Sequence, residues 1–234
     1  MLLIDPLILP SMLVLVQSTA QCPKHEPTKI NVIPLTEEVK YNYRESLKRI
    51  QQYSTDTVDP YGFHGQTVTQ GFMKGQIELR QKIRFAQSSN SAIGCVWYDT
   101  ITIELHIDPE IVIARELHQD QCMRKAIIGH ELKHVRVDRE VVNKYAKTMG
   151  QKLLTELQSR GFSAGPFRKE RMQEVIQKMQ RTVHQILELE YKKLGIERQE
   201  RQRQVDTLDE YQSVDAQCPA FQEKKQQLYS TLLK

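Results

Sequence analysis

The chain has 234 residues, 39% of them hydrophobic and 26% charged, with a mean hydropathy of -0.53. That composition suits one sizeable core, or two small ones, and excludes both a disordered tail and a multi-span membrane protein. Lys plus Arg exceed Asp plus Glu by only four, 33 against 29, and the excess is spread over both halves, so the charge gives no reason to expect a nucleic-acid partner.

The first apolar run, Leu7 to Val16, is about half the length needed to span a bilayer and reads as the core of a signal peptide. Ser18 and Ala20 supply the small side chains of a cleavage site, although Asp5, Pro6 and Pro10 make the signal atypical. Residues 1–20 are therefore expected to be removed, leaving a secreted or periplasmic chain that starts near Gln21 and has no stable membrane insertion. The four cysteines, Cys22, Cys95, Cys122 and Cys218, form no CxxC pair, which disfavours a cysteine zinc site and favours disulfides in an exported protein. Of the possible pairings, Cys95 with Cys122 and Cys22 with Cys218 is preferred.

Residues 30 to 118 alternate in the manner of strands. Ile30, Val32 and Ile33 lead into Pro34, and Val39, Tyr41 and Tyr43 precede a short amphipathic helix with Leu47 and Ile50. A turn-rich stretch contains Gly62, Gly65, Gly71 and Gly75. Ile77 to Phe85 and Ile101 to Ile107 then show the period of half-buried strands, and Ile111 to Ile113 form a last short one. From Asp120 the period becomes helical. One helix is expected over about 120–158, a breaker over 161–166, and a second helix over about 166–204, making an antiparallel hairpin. The tail from Asp206 is expected to pack back through Cys218. The fold class is α+β: an antiparallel or mixed sheet packed on a long helical hairpin, in a single domain over 21–234.

His130, Glu131, Leu132, Lys133 and His134 spell H-E-x-x-H inside the first helix. Four residues is a little over one turn, so both imidazoles leave one face about 6 Å apart along the axis, a spacing that suits two nitrogens on one zinc. Glu131 is placed to act as general base on a metal-activated water. A catalytic site needs a third protein ligand, and the extended motif with a glycine and a third histidine is absent, so that ligand should come from another element. Asp138, one turn on, is expected to orient His134 from behind. A hairpin turn centred on the 161–166 breaker sets His130 opposite Glu197 and His134 opposite Lys193. Glu190 and Glu197 both continue an apolar stripe of the second helix, where a carboxylate needs a partner. Glu190 is the first choice for the third ligand and Glu197 the second. His106 and His118 are possible substrate-site groups, and His184 is too distant.

The segment Glu110 to Glu116, Cys122, the run Ile128 to Asp138, and Val205 to Tyr211 followed by Cys218 resemble bacterial secreted proteins grouped as domain of unknown function 922, predicted zinc-dependent proteases. The resemblance covers roughly residues 30 to 220, and only H-E-x-x-H is chemically specific within it. It implies a zincin-like site with His130 and His134 as zinc ligands, Glu131 as general base and a peptide or protein substrate. The expected function is thus an exported zinc metallopeptidase, with the Ile111 to Ala114 strand binding extended peptide if it lies at a sheet edge. The alternatives are a non-catalytic envelope protein with a structural or vestigial metal site and a helical-hairpin binding surface, and a hydrolase of some other bond such as a cell-wall cross-link.

Overall fold

The computed structural model describes residues 21–53 and 68–232. The expected signal peptide, 1–20, and Gly62 and Gly65 lie outside the described residues. The strands are β1 (Lys29–Thr36), β2 (Lys40–Asn42), β3 (Gly71–Lys74), β4 (Ile77–Ser89), β5 (Ile93–Ile107), β6 (Glu110–Ile113) and β7 (Ser163–Arg168). The helices are α1 (Leu47–Ile50), α2 (Arg115–His118), α3 (Gln121–Arg160), α4 (Met172–Val205), α5 (Leu208–Ala216) and α6 (Gln222–Leu232). The protein is α+β with mixed sheets, as the periodicity predicts.

β5 organises the larger sheet, in the order β1-β5-β4, with β1 parallel and β4 antiparallel to it. β7 pairs with the start of β5 on the edge that β1 takes further along. The alternation in β5 decides its orientation: Ile101, Ile103, Leu105 and Ile107 are fully buried under the helices, while Thr100, Thr102, Glu104 and His106 face away. Pro34 is tolerated because β1 is an edge strand in which not every N–H is needed. The smaller sheet has the order β2-β6-β3, with β6 in the middle, so the Ile111 to Ala114 segment is not the free edge that strand addition requires. Among the described residues the edges are β2 and β3, and β3 was not expected as a strand.

α3 runs 40 residues and joins two apolar clusters. Its second half and α4 cover the larger sheet through Met149, Leu153, Leu157, Val183 and Leu187. Its first half packs Met123 and Ile127 against Ile111 and Ile113 of the smaller sheet, with Phe221 from the C-terminal segment. Asp120 starts the helix by accepting the Met123 N–H, and Gly161, at φ 97, ends it. No helix among the described residues is long and apolar enough to cross a membrane.

Two expectations about long-range connections are corrected. The 161–166 breaker is longer than expected, because Ser163–Arg168 is β7 and a 3-10 turn over Lys169–Arg171 precedes α4. Facing residues of the hairpin shift accordingly: Asp138 meets Arg198, and Lys144 meets Glu197. The disulfides join Cys22 to Cys95 and Cys122 to Cys218, with Cα separations of 5.7 and 5.9 Å. Cys95 lies near the start of β5, so roughly 40 Å of strand carries the chain away from it before the chain reaches Cys122, in the first turn of α3. Cys122 instead finds the segment that follows α5. Two disulfides are compatible with an extracellular or periplasmic protein.

Candidate metal centre

His130, Glu131 and His134 lie on the part of α3 where the two apolar clusters meet, and all three are buried. Helical spacing puts the two imidazoles one turn apart, with ring centroids 5.0 Å apart and ring planes nearly perpendicular. Their Nε2 atoms approach to 3.4 Å. Asp206 completes the group, with Oδ1 at 3.2 Å from each Nε2. It is the first residue after α4, where the helix stops and the chain turns into α5 behind the Thr207 cap. That reversal aims its carboxylate back at α3. The three donor atoms lie within 4.8 Å of one another, and all three side chains are buried. Two neutral imidazole nitrogens and one carboxylate oxygen on one point are the donor set of a transition-metal ion, so this group is able to hold one.

Neither glutamate expected as the third ligand is there. Glu190 is buried as predicted, but Lys193 satisfies it at 2.7 Å. Glu197 is bound by Lys144 at 2.5 Å. The physical cause is the longer hairpin turn, which moves the register of α4 along α3 and brings its C-terminal end, Gln202 to Asp206, over the histidines. Asp206 was missed because helix-to-helix register depends on turn length. The signal available in the sequence was an acidic residue, followed one turn later by Glu210, at the point where the second helix ends.

A second set of contacts holds the imidazoles from behind. His130 Nδ1 lies 3.4 Å from Glu210 Oε1, which also accepts from Lys133 Nζ at 2.5 Å. The Tyr211 ring lies 5.5 Å from the His130 ring, and its hydroxyl reaches Asp206 at 3.4 Å. His134 Nδ1 lies 2.5 Å from Gln202 Oε1. Asp138 acts on His134 through Gln202 and not directly, since Gln202 Nε2 donates to Asp138 Oδ1 at 2.6 Å.

The charges in the group are strongly coupled. Burial opposes protonation of both histidines, but the Asp206 hydrogen bond and the Glu131 charge outweigh it, raising His130 above its usual value and His134 to about 9. Burial opposes ionisation of Asp206, and the two imidazole hydrogen bonds outweigh that and hold it at about 2. Glu131 is pushed up by burial, against the pull of the two histidines and a hydrogen bond from the Met73 backbone.

The group opens onto a cleft of about 770 Å³ whose walls include β3, Lys74, His106, Asp108, Arg198 and Tyr211. His106 is thus in the cleft, held by Glu37 at 3.1 Å. His118 is not: it stacks on Tyr43. His184 is far from the site, paired with Gln81. Gly71 lets β3 settle directly on α3, since a Cβ there would stand 2.7 Å from Ile127 Cγ2 and 2.8 Å from the Val112 carbonyl. No protein-family model matches the chain, and neither a curated protein nor a solved structure matches it.

Proposed function

We propose that the protein is an exported zinc-dependent metallopeptidase. The observation that carries the reading is the convergence of His130, His134 and Asp206 at the wall of an open cleft, with the Glu131 carboxyl adjoining the first histidine. Three protein donors leave one tetrahedral position free, which is the arrangement of catalytic zinc, whereas structural zinc takes four. Bound there, zinc would polarise a scissile carbonyl and bring the pKa of a water toward 7.

The remaining roles fall to this chain's own groups. Glu131 accepts a proton at its carboxylate and returns it to the leaving amine, a task suited to a carboxyl whose pKa burial raises. β3 supplies the wall along which an extended peptide can lie. The hydrogen bond from Ala114 N to Gln70 O sets the antiparallel register, so the backbone groups of Gly71 and Met73 turn away from β6. The Met73 N–H is used by Glu131. The Gly71 groups and the Met73 carbonyl remain on the cleft side, where they can pair with a substrate backbone. Asp206, Glu210 and Tyr211 belong to the closing segment on which the resemblance to domain of unknown function 922 partly rests, which supports the same reading.

The test is hydrolysis of a mixed peptide library by the purified protein, by the protein treated with a chelator and by Glu131→Gln. The expected outcome is cleavage by the wild type alone, with zinc still present in Glu131→Gln and a loss of at least about 100-fold in rate. Full activity in Glu131→Gln, or undiminished activity after metal removal, would sink the proposal.

A further inference from the structure

The two imidazoles are held unequally from behind, and the tighter arrangement belongs to a neutral side chain. Gln202 reaches from α4 with three hydrogen bonds: Oε1 to His134 Nδ1 at 2.5 Å, Nε2 to the His134 carbonyl at 3.1 Å, and Nε2 to Asp138 Oδ1 at 2.6 Å. These contacts fix the orientation of the amide. Two of its neighbours, a carbonyl and a carboxylate, only accept, so the NH2 end must face them and the oxygen must face His134. An accepting oxygen at Nδ1 requires the proton on Nδ1, so Nε2, which faces Asp206 and His130, is the nitrogen that can give up its proton to take a metal.

Asp138 is what anchors the amide. It is fully buried and would be costly there without partners. Arg198 clamps it, with Nε on Oδ1 at 2.7 Å and Nη2 on Oδ2 at 3.1 Å. The same Nη2 donates to the carbonyl of Gly75 at 3.2 Å, in the turn that joins β3 to β4. By contrast, His130 Nδ1 has a longer contact, 3.4 Å, to a glutamate already engaged by Lys133.

We propose that Gln202 is a positioning residue for metal binding: held by Asp138 and Arg198, it fixes the ring and the tautomer of His134 so that Nε2 is presented to the ion. This inference rests on the metal-site reading above. It makes the C-terminal end of α4 part of the site through two residues, Gln202 in its last turn as support and Asp206, which follows the helix, as donor.

The experiment is competition for zinc between the full mature chain and a chromophoric chelator, with thermal melting of the metal-free protein measured alongside. The wild type is expected to bind one zinc. Gln202→Leu is expected to bind about 10- to 100-fold more weakly, the usual cost of removing a group that orients a ligating histidine. Gln202→Glu keeps an oxygen on Nδ1 and is expected to bind within about threefold of the wild type or more tightly, while its metal-free form melts at a lower temperature because the new carboxylate faces Asp138. A residue that serves the fold alone would move affinity and melting together, so the opposite movement in this variant is the decisive readout. Should Gln202→Leu not fold, Gln202→Asn is too short to span His134 and Asp138 together and is expected to show the same loss. Unchanged zinc affinity in the leucine or asparagine variant, or equal losses in Gln202→Glu and Gln202→Leu, overturns the role of Gln202 and leaves the metal site standing. A wild type that binds no zinc overturns the metal-site reading itself.

Discussion

Replacing Asp206 with Asn keeps the shape of the side chain and removes a charge that lies 3.2 Å from Nε2 of both histidines. Zinc binding worth roughly 10–16 kcal/mol over four ligands is about 2.5–4 kcal/mol for each, so losing one corresponds to a fall of roughly 100- to 1,000-fold in affinity. The metal-free protein is weakened too. Asp206 is held at about 2, below the ordinary 3.8, so its contribution to stability is present above the unfolded pKa and disappears as pH falls through the folded one. His134, raised to about 9 from 6.5, has the opposite sign: its contribution is present below the unfolded value and is lost as pH rises through the folded one. Both are in force between about pH 4 and 6.5, and there Asp206→Asn should cost the metal-free protein roughly 2 kcal/mol. Calorimetric zinc titration and urea denaturation near pH 5.5 measure the two effects, with Glu190→Gln as the control. Zinc affinity within threefold of the wild type in Asp206→Asn, or the large loss appearing in Glu190→Gln instead, would refute the assignment of the third donor.

Three further outcomes are expected. Because His130 and His134 are both raised in the metal-free protein, zinc binding at neutral pH should expel at least one proton, and affinity should climb with pH up to about 9; calorimetry in buffers of different ionisation enthalpy gives the number, and a value of zero contradicts the coupling. Gly71→Ala places a methyl 2.7 Å from Ile127 Cγ2 and 2.8 Å from a backbone oxygen, so β3 must lift from α3. The cost should be about 1–3 kcal/mol by denaturant unfolding, and an unchanged midpoint would show that the strand does not sit as described. Removing the Cys122–Cys218 bridge by a double Ser substitution opens a sequence separation of 96 residues, for which chain entropy predicts a loss of about 4.7 kcal/mol. Guanidinium unfolding reads it, and a loss below about 1 kcal/mol would mean that the C-terminal segment stays in place without the bridge.

The local parts of the site are legible in the sequence because they depend on one helix. H-E-x-x-H needs only the α-helical period to set two imidazoles on one face, and Ile127 and Val135 beside them identify that face as the buried one. The strand of Ile101 to Ile107 is legible for the same kind of reason, since alternation is a property of the segment itself. β3 is harder to read: four residues with Gly71 and Lys74 at the ends have little pattern, and its place is set by pairing with β6 and by the space that Gly71 leaves over Ile127.

The sequence by itself determined the α+β class, the long helix that begins near Asp120 and the three motif residues on it. Only the tertiary structure decided what faces them. The six residues of β7 and the short turn after it displace α4 along α3, so that Asp206 and Gln202 reach the histidines, while Glu190 keeps Lys193 of its own helix as its partner. Periodicity is counted in neighbours along the chain and survives any change in the loops. Register between helices, disulfide partners and sheet edges depends on where the connections carry each element, and a few residues in one turn are enough to exchange one carboxylate for another.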